Sequence, residues 1–204
     1  MPHYFAYSDD ELAALAAKDK KLGRAIERIG RIEREVQPDL FAALVESIIG
    51  QQISGKAATT IKNRLMELCG GSITPEIIGN LTDAEIQKCG MSHRKAGYVK
   101  AAAKAILSGE LDLTKIVDLD DDSAIKALTH LPGVGVWTAE MLLIFSLQRR
   151  NVFSFGDLAI KRGLCRIHGH KEVSRELFEK YRRRYTPYGS IACIYLWHVS
   201  GETA

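Results

Sequence analysis

Between Leu128 and Gly163 the sequence reads LTHLPGVGVWTAEMLLIFSLQRRNVFSFGDLAIKRG. Five residues, Leu131-Pro132-Gly133-Val134-Gly135, separate two apolar helical stretches. Pro132 ends the first, because it has no N–H and bars the residue before it from helical geometry. Gly133 and Gly135 permit positive φ and leave no side chain between the backbone and an approaching molecule. The next helix begins at this spot with unsatisfied N–H groups and the positive end of its dipole. That is a ready anion site, and the obvious polyanion is a phosphate backbone. Helix, glycine hairpin and helix together make a nucleic-acid docking element. Past a short loop stands one acid, Asp157, between Phe153-Ser154-Phe155-Gly156 and an apolar-basic helix. It is the candidate for chemistry, and Asp at that place reads equally well as a helix N-cap.

The charge distribution agrees with a polyanionic partner where the total does not. The net charge of the 204-residue chain is only +3. From Arg149 to Arg184, however, 11 Lys and Arg face 4 Asp and Glu, so the basic excess lies around Asp157. A hydrophobic fraction of 46% with 26% charged residues fits an ordinary globular chain with ample core. The apolar run Ile191–Trp197 is too short to span a bilayer, so no membrane partner is expected. The first residues, MPHYFAYSDDE, carry no export signal. Cys69, Cys89, Cys165 and Cys193 are scattered without a Cys-x-x-Cys pair. This predicts reduced thiols in a cytosol-like compartment and no zinc or iron–sulfur site. His168 and His170 lack a third convergent ligand, and they are expected at the surface or on phosphate.

Nearly every segment predicts helix. Stretches run from Ser8 to about Ala17 and from Lys20 to Ile29. Pro38 sits where a first helical residue is favoured, and Leu40, Phe41, Leu44, Val45, Ile48 and Ile49 then repeat at helical spacing up to Gly50. Ser54 caps a helix whose apolar face is Ala57, Ala58, Ile61, Leu65 and Leu68. Thr82 and Glu85 form a capping-box pattern. Ser92 starts a longer helix, with Tyr98, Ala101, Ala102, Ala105 and Ile106 inward. Asp121–His130, Val136–Leu147, Asp157–Ile167, Ser174–Tyr185 and Tyr188–Ser200 complete the set. No period-2 alternation persists, so the chain is expected to be all-α with no sheet.

The strings LPGVGVWTA and FSFGDLAIKRG, with 24 residues from Gly133 to Asp157, resemble the helix–hairpin–helix DNA glycosylases, and among them the 3-methyladenine DNA glycosylase II family. SIIGQQISGKAA (Ser47–Ala58) and PYGSIACIYLW (Pro187–Trp197) extend the match over most of the chain from about Pro38. The resemblance implies two helical lobes, about residues 38–145 and about 1–37 plus 146–204, with an active-site cleft between them. It also implies a short form without the N-terminal β-domain of larger relatives. The implied partner is double-stranded DNA with alkylated bases, bound by a monomer. The implied location is cytoplasmic, at the nucleoid in a prokaryote, or nuclear in a eukaryote.

By the same resemblance Asp157 is catalytic: its carboxylate stabilises the oxocarbenium-like sugar formed as the base departs. The family usually has proline, and often another acid, just before this Asp; here the residues are Phe155 and Gly156. Trp137 stands where glycosylases that also cut the strand have a Schiff-base lysine, so a monofunctional hydrolase is implied. Trp137, Met141 and Trp197 are implied to line the base pocket, with Met141 where the bacterial relative has a tyrosine. Both tryptophans also read as core. Gln52 stands at the wedge position that fills the gap left by an extruded nucleotide, in a turn that also reads as a plain polar connection. Gly133, Val134, Gly135, Thr138 and Lys161 are implied DNA contacts. No cofactor is required, and the carbonyls near Thr129, Leu131 and Val134 are implied to hold a structural Na+ or K+.

The expected activity is excision of 3-methyladenine- and 7-methylguanine-type bases after base flipping, leaving an abasic site. The alternatives are a related specificity (hypoxanthine, ethenoadenine) and a non-catalytic helix–hairpin–helix module. A helical protein–protein adaptor leaves the glycine hairpin and the basic excess without a reason.

Overall fold

A computed structural model describes residues 3–202. Its elements in chain order are β1 (His3–Tyr4), α1 (Asp9–Lys18), α2 (Lys20–Ile29), β2 (Glu35–Val36), α3 (Leu40–Gly50), α4 (Gly55–Leu68), α5 (Pro75–Asn80), α6 (Asp83–Lys88), α7 (His93–Leu107), α8 (Leu113–Ile116), α9 (Asp121–Leu128), α10 (Val136–Phe145), α11 (Leu158–His168), α12 (Arg175–Tyr185) and α13 (Gly189–Gly201). The all-α expectation is met, with one correction. β1 and β2 pair antiparallel, His3 opposite Val36 and Tyr4 opposite Glu35. Two residues per strand are too few for any periodicity to register. α5 and α8 were not among the expected helices either, being only 6 and 4 residues long.

Caps place the helix starts. Ser54, Thr82 and Ser92 each accept a backbone N–H three residues on, and Thr82–Glu85 closes its capping box. Pro38 is not the first helical residue. Asp39 takes the cap by accepting from Ala42 N, and α3 begins at Leu40.

The chain divides into two compact units, Gln37–Leu142 and Met1–Val36 with Leu143–Ala204. The first is built on α3 and α7. α3 is buried almost all round: Leu40, Phe41, Leu44, Val45, Ile48 and Ile49 are all core. The buried line of α7 is Ala96, Val99, Ala102, Ala103 and Ala105; Tyr98, Ala101 and Ile106 are only half-buried. Two lysines of α7 cap the C-termini of neighbours. Lys95 Nζ donates to the carbonyls of Ile49 (2.8 Å) and Gln51 (2.5 Å), and Lys100 Nζ to those of Gly79 (2.8 Å) and Leu81. On α4 only Leu65 is fully enclosed, and Leu68 is exposed.

In the other unit α11 lies along α13, whose run Ile191–Leu196 is buried on every side. A Cβ on Gly163 would stand 2.3 Å from the Leu196 carbonyl oxygen, so only glycine permits this crossing. Asp19, buried, caps α2 through Oδ1 (Lys21 N 3.0 Å, Leu22 N 3.2 Å). Its Oδ2 receives Arg184 Nη1 (2.9 Å) and Tyr185 Oη (3.1 Å), tying α12 to α2. Burial works to raise the Asp19 carboxyl, but Arg184, the Leu22 amide, His168 and Tyr185 outweigh it and hold it below the usual range.

His168 is not at the surface as expected. Its side chain is 5% exposed, packed on Tyr181 (4.4 Å between ring centroids), with Nε2 3.1 Å from Tyr185 Oη and 3.5 Å from Asp19 Oδ2. His170 Nε2 meets Tyr181 Oη at 2.7 Å. Burial outweighs the Asp19 carboxylate and pushes His168 down to about 4, so the ring is neutral at pH 7 and its contact with Asp19 is no ion pair.

A histidine held neutral by burial makes the unfolded chain the stronger proton binder between about pH 6.5 and 4. The stability it contributes is therefore complete above pH 6.5 and is lost as pH falls through that window. Urea titrations are expected to show a loss of about 2 kcal/mol between pH 7 and 5 from this group. His168→Phe is expected to flatten that slope; a variant with the wild-type slope would mean the imidazole is already charged in the fold.

Candidate active site and nucleic-acid interface

The two compact units each carry part of the expected constellation. In Gln37–Leu142, the hairpin follows α9, whose last turn passes into Leu131 N–H to Leu128 O (3.1 Å) and Val134 N–H to Leu131 O (3.1 Å). Gly133 takes φ +82°, and a Cβ there would lie 2.2 Å from Tyr98 Cδ2. Gly135 does not use the positive φ that glycine permits. Its φ is not positive, and a Cβ there would meet nothing within 4 Å. Gly133 is thus glycine for internal packing, whereas the space over Gly135 is open. The first i to i−4 bond of α10 runs from Ala139 N–H to Gly135 O (3.0 Å), so the amides of Val136, Trp137 and Thr138 point out of the helix start towards the hairpin. The Thr138 side chain is buried, which leaves its backbone amide as the group that can meet a ligand. Val136 and Trp137 are exposed (57% and 44%), and Met141, one turn on, is buried.

The turn after α3 is bound to this hairpin. Gln51 Nε2 donates to Gly133 O (2.9 Å), while Lys95 holds the Gln51 carbonyl from the other side. Burial, then Arg94, lowers the Lys95 ammonium below the usual lysine range. Gln52 has φ +57°, a left-handed conformation that costs a non-glycine residue about 1–2 kcal/mol. Such strain persists where surrounding contacts over-determine it, and Gln51 and Lys95 supply those contacts. The result is an exposed Gln52 side chain beside Ile53, itself 38% exposed. Tyr98 was expected only as an inward-facing residue of its helix, and neither it, Gln51 nor Lys95 was given a role at the hairpin. The only signal for Tyr98 was its half-apolar place on α7, and Lys95 carries none.

In the other unit Asp157 is the N-cap of α11, with φ −83° and ψ 112°. Its Oδ1 accepts from Ala159 N (2.8 Å) and Ile160 N (3.0 Å), and the residue is 6% exposed. Two amides therefore anchor Oδ1 of the carboxylate at the start of the helix. The loop ahead of it is anchored by Ser190: Val152 N–H donates to Ser190 Oγ (3.0 Å), which donates in turn to Arg149 O (2.5 Å). Cys193 Sγ also donates to Val152 O at 3.6 Å. Leu158, next to the carboxylate, is exposed. Lys161, one turn on, rests its Nζ 4.3 Å from the Phe155 ring centroid.

Trp197 is half-buried on α13, tilted against Phe145 at 5.3 Å, and Arg34 Cζ stands 4.9 Å over the Phe145 ring. Phe145 and Arg34 are supports that the sequence did not point to. Among the described residues no cluster of three His, Cys, Asp or Glu side chains could hold a metal ion, and no helix is long and apolar enough to cross a membrane. Burial raises the thiols of Cys69, Cys89 and Cys165.

Known proteins share the family and the fold of this chain. Residues 45–187 match the family model described as HhH-GPD superfamily base excision DNA repair protein. The chain is 31% identical over 193 residues to DNA-3-methyladenine glycosylase 1 of Schizosaccharomyces pombe, covering 91% of this chain and 85% of that protein. A crystal structure of a Bacillus halodurans DNA-3-methyladenine glycosidase superposes with a TM-score of 0.86 at 35% identity, over 98% of this chain and 93% of the other. An S. pombe 3-methyladenine DNA glycosylase in complex with abasic DNA gives a TM-score of 0.84 at 30% identity, over 95% and 98% of the two chains.

The glycine pair separates packing from docking. Gly133→Ala is expected to destabilise the chain by about 2 kcal/mol or more, from the clash with Tyr98 and the positive φ. Gly135→Ala is expected to leave the thermal midpoint within a degree or two of wild type. Equal stability of the two variants in thermal denaturation would contradict this division.

Proposed function

The chain belongs to the HhH-GPD superfamily of base excision DNA repair proteins, and we propose that it is a monofunctional glycosylase that excises alkylated purines of the 3-methyladenine and 7-methylguanine type from double-stranded DNA. The observation that carries the reading is the buried Asp157 carboxylate, aimed by two backbone amides at the start of α11. As the N-glycosidic bond lengthens, its electron pair leaves with the base and positive charge builds on the deoxyribose. A fixed carboxylate in a poorly solvated place stabilises that charge without reorganising. Water then forms the new C1′–O bond and gives its proton to Asp157, leaving an abasic site. An alkylated purine is cationic and departs neutral, so it needs no strong general acid. Trp137 stands where a strand-cutting enzyme needs a Schiff-base amine, and an indole cannot supply one.

The other roles follow the same reading. The hairpin Gly133-Val134-Gly135 takes a backbone phosphate through the Gly133 and Gly135 amides and the Thr138 amide, the Val134 N–H being held by Leu131 O, and Lys161 takes another. Gln52, strained and exposed, enters the base stack where the nucleotide has left. Trp137, Met141 and Trp197 contact the extruded base, whose electron-poor ring suits tryptophan faces. The backbone carbonyls of Thr129, Leu131 and Val134 are hard neutral oxygens, a donor type that fits Na+ or K+; such an ion would neutralise phosphate charge at the hairpin. No cofactor takes part. One chain acts per lesion, where DNA is: in the cytoplasm at the nucleoid, or in a nucleus.

The test incubates wild type and Asp157→Asn with methylated duplex DNA, measures released bases, and scores strand breaks with and without alkali. Asn caps helices as well as Asp does, so the variant is expected to fold, bind DNA and lose at least about 10²-fold in turnover. Breaks are expected only after alkali. Release of hypoxanthine or ethenoadenine but no methylated purine would change the substrate, and binding without release of any base would leave a docking module. Gly135→Val is expected to weaken binding to damaged and intact duplex alike, since the contact is to phosphate. Affinity that stays flat as salt rises would contradict phosphate docking.

A further inference from the structure

The loop leading to Asp157 holds an aromatic ring that carries two cations. Lys161 Nζ lies 4.3 Å and Arg175 Cζ 4.5 Å from the Phe155 ring centroid. The ring is fixed from below: it meets fully buried Phe178 edge-on at 5.1 Å, and Phe178 stacks on Phe153 at 4.6 Å. Two cations on one ring repel each other, and the local counter-charge is short. Glu179 places Oε1 3.3 Å from Arg175 Nε, but its Oε2 is 2.5 Å from Arg182 Nε. Lys161 has no ion pair among the described residues. Two arginines thus share the Glu179 carboxylate, and Lys161 takes no part in that pairing. Arg175 is also the first residue of α12, where the helix dipole disfavours a positive charge. An external anion that reaches both Lys161 and Arg175 would offset the repulsion between them.

We infer that Phe155, Lys161 and Arg175 form a clamp for one phosphodiester of the strand that carries the lesion. Lys161 and Arg175 are its contacts, and Phe155 is the positioning residue that holds both at fixed places. The clamp adjoins the carboxylate along the chain: Phe155 precedes Asp157 by two residues, and Lys161 N–H bonds Asp157 O at 3.3 Å. A phosphate seated there registers the strand against Asp157, so the clamp sets where the sugar stops as well as how tightly DNA binds. The inference rests on the glycosylase reading. It adds Arg175 as a contact and gives Phe155, one of the two residues by which the stretch before Asp157 departs from the family pattern, a task of its own.

The experiment measures binding of the full chain to a duplex containing a stable abasic-site analogue across a salt series, together with base release from methylated DNA. The proteins are wild type, K161A, R175A, F155L and F155Y. Each cation variant is expected to reduce the slope of log affinity against log salt by about 1. F155L, which keeps the apolar contact with Phe178 but has no π face, is expected to weaken binding about 3- to 10-fold. F155Y is expected to restore it. Replacing single phosphates by neutral methylphosphonate is expected to find one lesion-strand position that weakens wild type and adds nothing to K161A or R175A. R175A is expected to unfold at the same temperature as wild type or higher, so its loss of binding cannot come from misfolding. Unchanged salt slopes in both cation variants, or no phosphate at which their losses merge with methylphosphonate, would overturn the clamp. If wild type still releases base with salt-dependent binding in that case, only the clamp falls. Wild type that neither releases base nor responds to salt would bring down the glycosylase reading as well.

Discussion

The unit that carries Asp157 depends on how closely two helices can approach. α11 begins at the carboxylate and passes α13 at Gly163, where the Leu196 carbonyl occupies the place of a side chain. Trp197 is the next residue of α13. Moving α11 outward by the width of one methyl group would carry the Asp157 cap with it. A buried core tolerates no such gap, because the enclosed run Ile191–Leu196 fills the space on the other side. The helix crossing therefore fixes the carboxylate from behind, and Ser190 fixes the loop in front of it through Arg149 and Val152. Nothing about Asp157 is left to its own flexible side chain.

In the other unit the corresponding role falls to polar links. Gly133 is pinned because Tyr98 stands where its Cβ would be, and its carbonyl is tied to Gln51. Lys95 closes the α3 terminus and holds the same turn. Hairpin and turn thus share one rigid mount on α7. A left-handed glutamine at position 52 is affordable only on a mount of this kind. The two surfaces that the glycosylase reading assigns to phosphate and to the vacated base stack are held in register by two side chains, a glutamine and a lysine.

Helices were legible wherever a cap and a periodic apolar face coincide, as at Ser54, Thr82 and Ser92. The hairpin and Asp157 stood out because proline, glycine and a lone acid carry strong local constraints. What escaped has a common cause. The β1–β2 pairing, the burial of His168 and of Thr138, and the clamps made by Lys95 and Gln51 are set by partners distant in the chain. A histidine beside a glycine reads as surface until Asp19, at the start of α2, and Tyr185 of α12 close over it. Pro38 shows the limit even locally: a favoured first position for proline yielded to an Asp cap one residue later. Phe155 and Gly156 were visible as a departure from the family pattern, but the cations above the ring come from two different helices.

The cap at Asp157 has one more implication. Serine, asparagine and aspartate serve nearly alike at a helix start, and a buried negative charge is the least welcome of the three in an enclosed place. Folding alone would let position 157 drift among them and would favour the neutral side chains. On the glycosylase reading, an acid there is a load that the fold carries on behalf of the reaction, and stability and activity would pull this one codon in opposite directions.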